Sequence, residues 1–239
     1  MHLSENPKVN AAGNLALAFL LGMLVIVLGS AVVIAMQFGT DLFERAGWAQ
    51  GFVNHTSMLI LSFLLILVFT RGRPGGYGFR WPEKWPLLGI AGWGLGPGLI
   101  SAAVHSLGPG EGLTFVAEQS FAETVIFVWI WASICEEVFT RGLLQGFLGE
   151  FSERGVRIRG TFISVPVIFG AVFFGAMHLM LFTMGVDAFT VWAIVVFAVV
   201  IGTAAGYYCQ GTGSLAPAIL VHMLANVGGS IGVIVGLLA

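Results

Sequence analysis

The sequence predicts an all-α fold, a polytopic bundle of about seven transmembrane helices. Three observations carry that expectation. Hydrophobic residues fill 57% of the 239 positions and charged residues only 9%, where a soluble domain carries about 25% charged residues. The mean hydropathy is +0.95. The apolar residues also fall in long continuous runs, near the ~20 residues of a spanning helix and unlike the short alternating strands of a barrel. Lipid offers an open backbone no hydrogen-bond partner, so each run must be helical. This composition excludes an ordinary soluble enzyme and a disordered chain. A net charge of -2 gives no field for a polyanion, so no nucleic-acid partner is expected.

The runs follow in order. The first is Leu15 to Met36, too long for a signal-peptide core and expected to be retained. The second is about Phe52 to Thr70, and the third is Leu87 to about His105, interrupted by glycines and Pro97. The fourth, about Phe121 to Leu148, contains charges. The fifth is about Thr161 to Leu181, the sixth about Ala188 to Tyr208, and the seventh about Leu215 to Leu238. No linker or repeat divides them, so 1–239 is one membrane domain. The 34 glycines suit close helix packing in lipid, and Gly202-x-x-x-Gly206 looks like an internal packing face. Cys135 and Cys209 lack metal or disulfide spacing and are expected to be buried thiols.

Basic residues set the orientation. If the runs alternate, Lys8, Arg71, Arg73, Arg80, Lys84, Arg154, Arg157 and Arg159 share one side, against Arg45 alone on the other. That bias puts the N-terminus in the cytoplasm. Trp48, Trp81 and Trp85 sit at loop edges, as interfacial aromatics do.

The fourth run holds Glu136, Glu137 and Arg141. Glu136 stands about 18 Å from the end of its helix, deep in a core about 30 Å thick. A charge there costs at least about 2.5 kcal/mol and marks a functional site by default. Glu137 and Arg141 are four apart and can neutralise each other. Glu136 is rotated about 100° away and has no such partner on its own helix. It suits a proton acceptor, with Glu137 and Arg141 as its support. The alternative is a buried ion network that only fixes helix register.

Other runs add Phe174 with His178, and His222 with Asn226 four residues on. Two imidazoles and an amide could then face the carboxylates across one wet pocket. Counted from Thr161, His178 lies about 26 Å along its helix, and His222 about 11 Å from Leu215. Straight helices would not bring them level, so the fifth must start later, tilt or bend at Pro166 or Gly170. His55 and His105 lie near the ends of the second and third runs and are expected at the interface. Glu123 and Asp187 are expected at the outer surface.

Glu136-Glu137-x-x-x-Arg141, Phe174-x-x-x-His178 and His222-x-x-x-Asn226, in that order and in separate runs, resemble the CAAX-protease and bacteriocin-processing (CPBP, or Abi) family of intramembrane endopeptidases. Gly213 to Pro217 is similar to the family's lead-in to its last motif. The resemblance covers about Trp129 to Val227, with a family-like core of about 121–230. It implies an endopeptidase that cuts a membrane-anchored or lipid-modified protein near its C-terminus, in the cytoplasmic membrane. It assigns Glu136 and His178 to water activation, His222 and Asn226 to the oxyanion, and Glu137, Arg141 and Phe174 to support. Glu136, His178 and His222 could also form a zinc set. Without H-E-x-x-H, and with an amide suited to an oxyanion, the metal-free reading is favoured. A bacteriocin-immunity or scaffold protein using the same network without catalysis is the rival from another class. A small transporter is a third, disfavoured by the lack of an inverted repeat.

Overall fold

The computed structural model describes residues 11–110 and 119–231. Lys8 and the expected end of the seventh run, 232–238, lie outside them. Seven long helical stretches stand among the described residues. They are α1 (Ala11–Gly39), α2 (Ala49–Thr70), α3 (Leu87–Leu107), α4 (121–147), α5 (Val165–Met177), α6 (Ala188–Thr212) and α7 (Leu215–Gly229). By length and composition α1, α2, α3, α6 and Val165–Met184 can each cross a bilayer. The chain is an all-α, multi-pass membrane protein.

α1 shows how such a helix is read. Ala18, Gly22, Val25, Gly29 and Val33 are buried along one stripe at spacings of three and four. Phe19, Leu20, Val27 and Ile34 point outward, an apolar surface that only lipid covers without cost. The stripe is rich in small residues because dispersion and close approach, not the hydrophobic effect, hold helices together in lipid. α3 and α7 approach each other closely. A Cβ on Gly98 would lie 2.4 Å from the Ala225 carbonyl oxygen, so only glycine fits there. α3 runs helically through Pro97.

α4 differs from the rest. Its α-helical turn Ser133–Glu137 lies between two π-helical stretches, Thr124–Ala132 and Val138–Gln145. Every residue from Val138 to Gln145 is buried, so this half of α4 is surrounded by the bundle. Widened turns of this kind recur at functional sites.

The fifth run requires a correction. Thr161–Ser164 is not helical but pairs antiparallel with Gly155–Ile158 as a short hairpin. Arg159 (φ 50°) and Gly160 (φ 87°) form its two-residue turn, the positive-φ pair that matches strand twist. α5 then starts at Val165, with the Ser164 hydroxyl accepting from the Val167 amide (3.4 Å) and Pro166 in the first turn. The later start shortens the path to His178 to about 20 Å.

Two sets of contacts tie helix ends together. Asn14 near the start of α1 bonds to Glu150 beyond the end of α4. The loop after α2 clamps the start of α7. Arg80 Nε donates to the Gly213 carbonyl (2.7 Å), the Ser214 hydroxyl donates to the Arg80 carbonyl (2.6 Å), and the Leu215 amide donates to the Gly78 carbonyl (3.0 Å). Gly213 has φ 64°, and a Cβ there would strike the Arg80 guanidinium. This clamp sets the register of the helix that carries His222 and Asn226. Cys135 and Cys209 are buried free thiols. The Gly202 face packs internally, since a Cβ on Gly202 would lie 2.7 Å from Arg141 Nη2 and 3.1 Å from Ala171 Cα.

Candidate active site

α4, α5 and α7 meet around the buried charges, and α2 joins them. Glu137 and Arg141 form an i, i+4 ion pair (Oε1 to Nη1, 3.0 Å) with no side-chain exposure. Arg141 Nη1 also donates to the Thr140 hydroxyl, which donates to the Glu136 carbonyl oxygen (2.6 Å). The guanidinium lies 4.9 Å from the centre of the Phe174 ring, on α5. A charge paired, bonded and stacked in this way offsets much of its desolvation.

His222 on α7 reads both carboxylates. Its Nδ1 lies 2.9 Å from Glu137 Oε1 and its Nε2 lies 3.5 Å from Glu136 Oε2. Glu137 Oε1 accepts from Arg141 as well, so it is an ionised acceptor and His222 Nδ1 is the donor. Phe174 meets His222 edge to face at 5.3 Å and His178 at 5.0 Å. It spaces the two imidazoles and the guanidinium.

His178 closes α5, where the chain tightens into the 3-10 segment His178–Met184. Its Nδ1 donates to the Phe174 carbonyl (2.8 Å), which leaves Nε2 as the lone-pair nitrogen of the neutral ring. The ring stands within electrostatic range of Glu136, His222 and His55. Asn226 lies one turn beyond His222. Its Nδ2 donates to the Val128 carbonyl and to the Ser133 hydroxyl, both at 3.1 Å. Both bonds reach α4, at Ser133 about one turn and at Val128 about two turns before Glu136.

One expectation changes here, that for His55. Glu136 has no partner on its own helix, but other helices supply two. Besides His222, His55 of α2 brings its Nε2 to 3.1 Å from Glu136 Oε1. His55 is therefore not an interfacial side chain. α2 begins at Ala49, three residues before the expected Phe52, and the ring turns inward. His105 does stay in the last turn of α3, where its Nδ1 donates to the Ser101 carbonyl (2.8 Å). Thr140 and Ser133 are further participants that the sequence did not single out. Each is a buried hydroxyl within one helical turn of a charged residue, and that pattern is the available signal.

Among the described residues no three His, Cys, Asp or Glu side chains are grouped to hold a metal ion. Glu136, His178 and His222 carry suitable donor atoms, and Glu136 lies 3.1 Å from His55 and 3.5 Å from His222.

Residues 118–228 match a family model described as type II CAAX prenyl endopeptidase Rce1-like. Through this region, a little under half of the chain, the sequence is similar to the Rce1-like family. The Rce1-like region holds α4 to α7 and every motif residue from Glu136 to Asn226. At the level of the family, the activity is CAAX-type intramembrane proteolysis, with membrane-embedded protein substrates. α1, α2 and α3 stand before the Rce1-like region. No curated protein and no solved structure matches the chain.

Proposed function

We propose that this protein hydrolyses a peptide bond near the C-terminus of a membrane-anchored or lipid-modified protein, without a metal, in the cytoplasmic membrane and with its N-terminus in the cytoplasm. One observation carries the reading. A carboxylate only 11% exposed in its side chain faces imidazoles in an apolar bundle, where a charge without a task is costly.

In this reading Glu136 is the general base and His178 orients the water through Nε2. The water's proton passes to the Glu136 carboxylate as its oxygen attacks the carbonyl carbon. The same proton later goes to the leaving amine. The oxyanion needs donors, and His222 Nε2 is one. Since Nδ1 already donates to Glu137, donation by Nε2 takes a second ring proton. Glu137, itself held by Arg141, carries the counter-charge and fixes the ring, as the acid of a catalytic triad does. Asn226 is the other donor, and an oxyanion would take the amide hydrogen that Ser133 now accepts. Asn226→Ala is expected to lower kcat by about 10²- to 10³-fold. Steady-state kinetics measure this, and a loss under about threefold would remove Asn226 from the oxyanion site.

The test uses purified protein in liposomes with two quenched fluorescent probes. One is a prenylated CAAX-type peptide, and the other ends in a transmembrane helix. Cleavage of either by the wild type is expected, unaltered by a strong zinc chelator. Inactivation by chelator with recovery on added zinc would overturn the metal-free mechanism. Failure to cut either probe, with the protein folded, would favour the immunity or scaffold reading.

A further inference from the structure

We propose that His55 is a positioning residue that pins Oε1 of Glu136, so that Oε2 alone serves as the base. The inference rests on Glu136 being the base. It adds a residue from outside the matched region 118–228, 81 positions from its partner.

The ring has one useful direction. His55 Nδ1 is tied to the Gly51 carbonyl one turn back, at 2.7 Å. A carbonyl only accepts, so Nδ1 is the donor and only Nε2 is left for a partner. That nitrogen is 3.1 Å from Glu136 Oε1, in a contact where the two side chains are only 22% and 11% exposed. A proton must lie between them, on the ring or on the acid, for the contact to be attractive.

The helix is held so that the ring cannot easily turn away. Next to His55, the Thr56 hydroxyl accepts from Trp131 Nε1 of α4 (3.1 Å). One turn earlier, Phe52 packs on Trp131 at 5.6 Å. Trp48 stacks on Phe127 of α4 at 4.4 Å and 5°. α2 is thus fastened to α4 on both sides of His55, at the level of the π-helical stretch that precedes Glu136.

The consequence is a division between the two carboxylate oxygens. Oε1 is held by His55, and Oε2 is turned toward His222. A glutamate has three rotatable bonds, and a base must meet its proton within about 3 Å. With Oε1 fixed, the carboxylate presents Oε2 in one place. Without His55 the carboxylate would rotate, and fewer encounters would be productive.

The test is kinetic, on the full protein in liposomes with the same two probes. His55→Phe keeps a ring and removes the donor. It is expected to lower kcat by about tenfold to a hundredfold and to leave KM within about threefold. His55→Gln, whose amide nitrogen can reach Oε1, is expected to recover to within about fivefold of wild type. A His55→Phe kcat within about twofold of wild type would overturn the proposal. So would an equal loss in both variants, because ring packing alone would then explain it. Should His55→Phe fail to fold, His55→Gln and His55→Met carry the same comparison, and equal kcat values would overturn the proposal. Glu136→Gln separates the two ideas. Wild-type cleavage by that variant would sink the base itself, whereas its inactivity beside a fully active His55→Phe would sink only the role of His55.

Discussion

Glu136→Gln is expected to lower kcat by about 10³-fold while the protein folds as before. Glutamine keeps the shape and can still hydrogen bond to His55 and His222, but it cannot take a proton from water. The oxyanion donors would remain and leave residual activity. The melting temperature in detergent separates the readings. A folded, inactive variant supports the base. A variant that unfolds would mean that the network exists to hold the bundle together. A folded variant that cuts at the wild-type rate would take the chemistry away from Glu136. The effect should fall on kcat with little change in KM, because the proton moves only in the transition state.

Some of the site was legible because it is local. Glu137 and Arg141 sit one turn apart, and a helix leaves them little choice but to meet, as their 3.0 Å contact attests. The motif order and the apolar runs likewise gave the helices and the region that matches the family. What escaped was long range. His55 is one histidine in an apolar run, and nothing in the chain near it names a partner 81 residues away. Its role depends on which face of α2 meets α4, which the aromatic contacts of Trp48 and Phe52 decide. Helical spacing reports only neighbours on one helix, so it gives no cue to the contact between His55 and Glu136.

The hairpin was missed for a different reason. Val156-Arg157-Ile158 alternates apolar and charged, and Arg159-Gly160 is a turn signal. Hydropathy joined the following Thr161-Phe-Ile to the apolar run of α5, because a window that averages hydropathy cannot tell a strand period from a helix period. The cue that divides them is Ser164 with Pro166, a helix start. Read that way, the apparent mismatch in depth between His178 and His222 shrinks without a kink.

The largest loss of stability is expected from Arg141→Met. Arg141 is 1% exposed and Glu137 is fully buried. Removing the guanidinium leaves Glu137 with His222 as its remaining bonded partner and takes away the group lying over Phe174. Breaking one side of a buried pair costs about 3 to 5 kcal/mol, mostly for the charge left behind. Adding Glu137→Gln to Arg141→Met should restore much of that loss, because the stranded charge goes with it. Thermal or denaturant unfolding of the two single variants and the double one, in the same detergent, measures the coupling. Additive losses would mean that the two charges stand independently. The double variant separates stability from chemistry as well. With Glu137 neutral, His222 loses the counter-charge it needs to bring a second proton to the oxyanion, so the restored protein should fold and still cleave poorly. A double variant that regained both stability and activity would show that Glu137 and Arg141 serve packing alone.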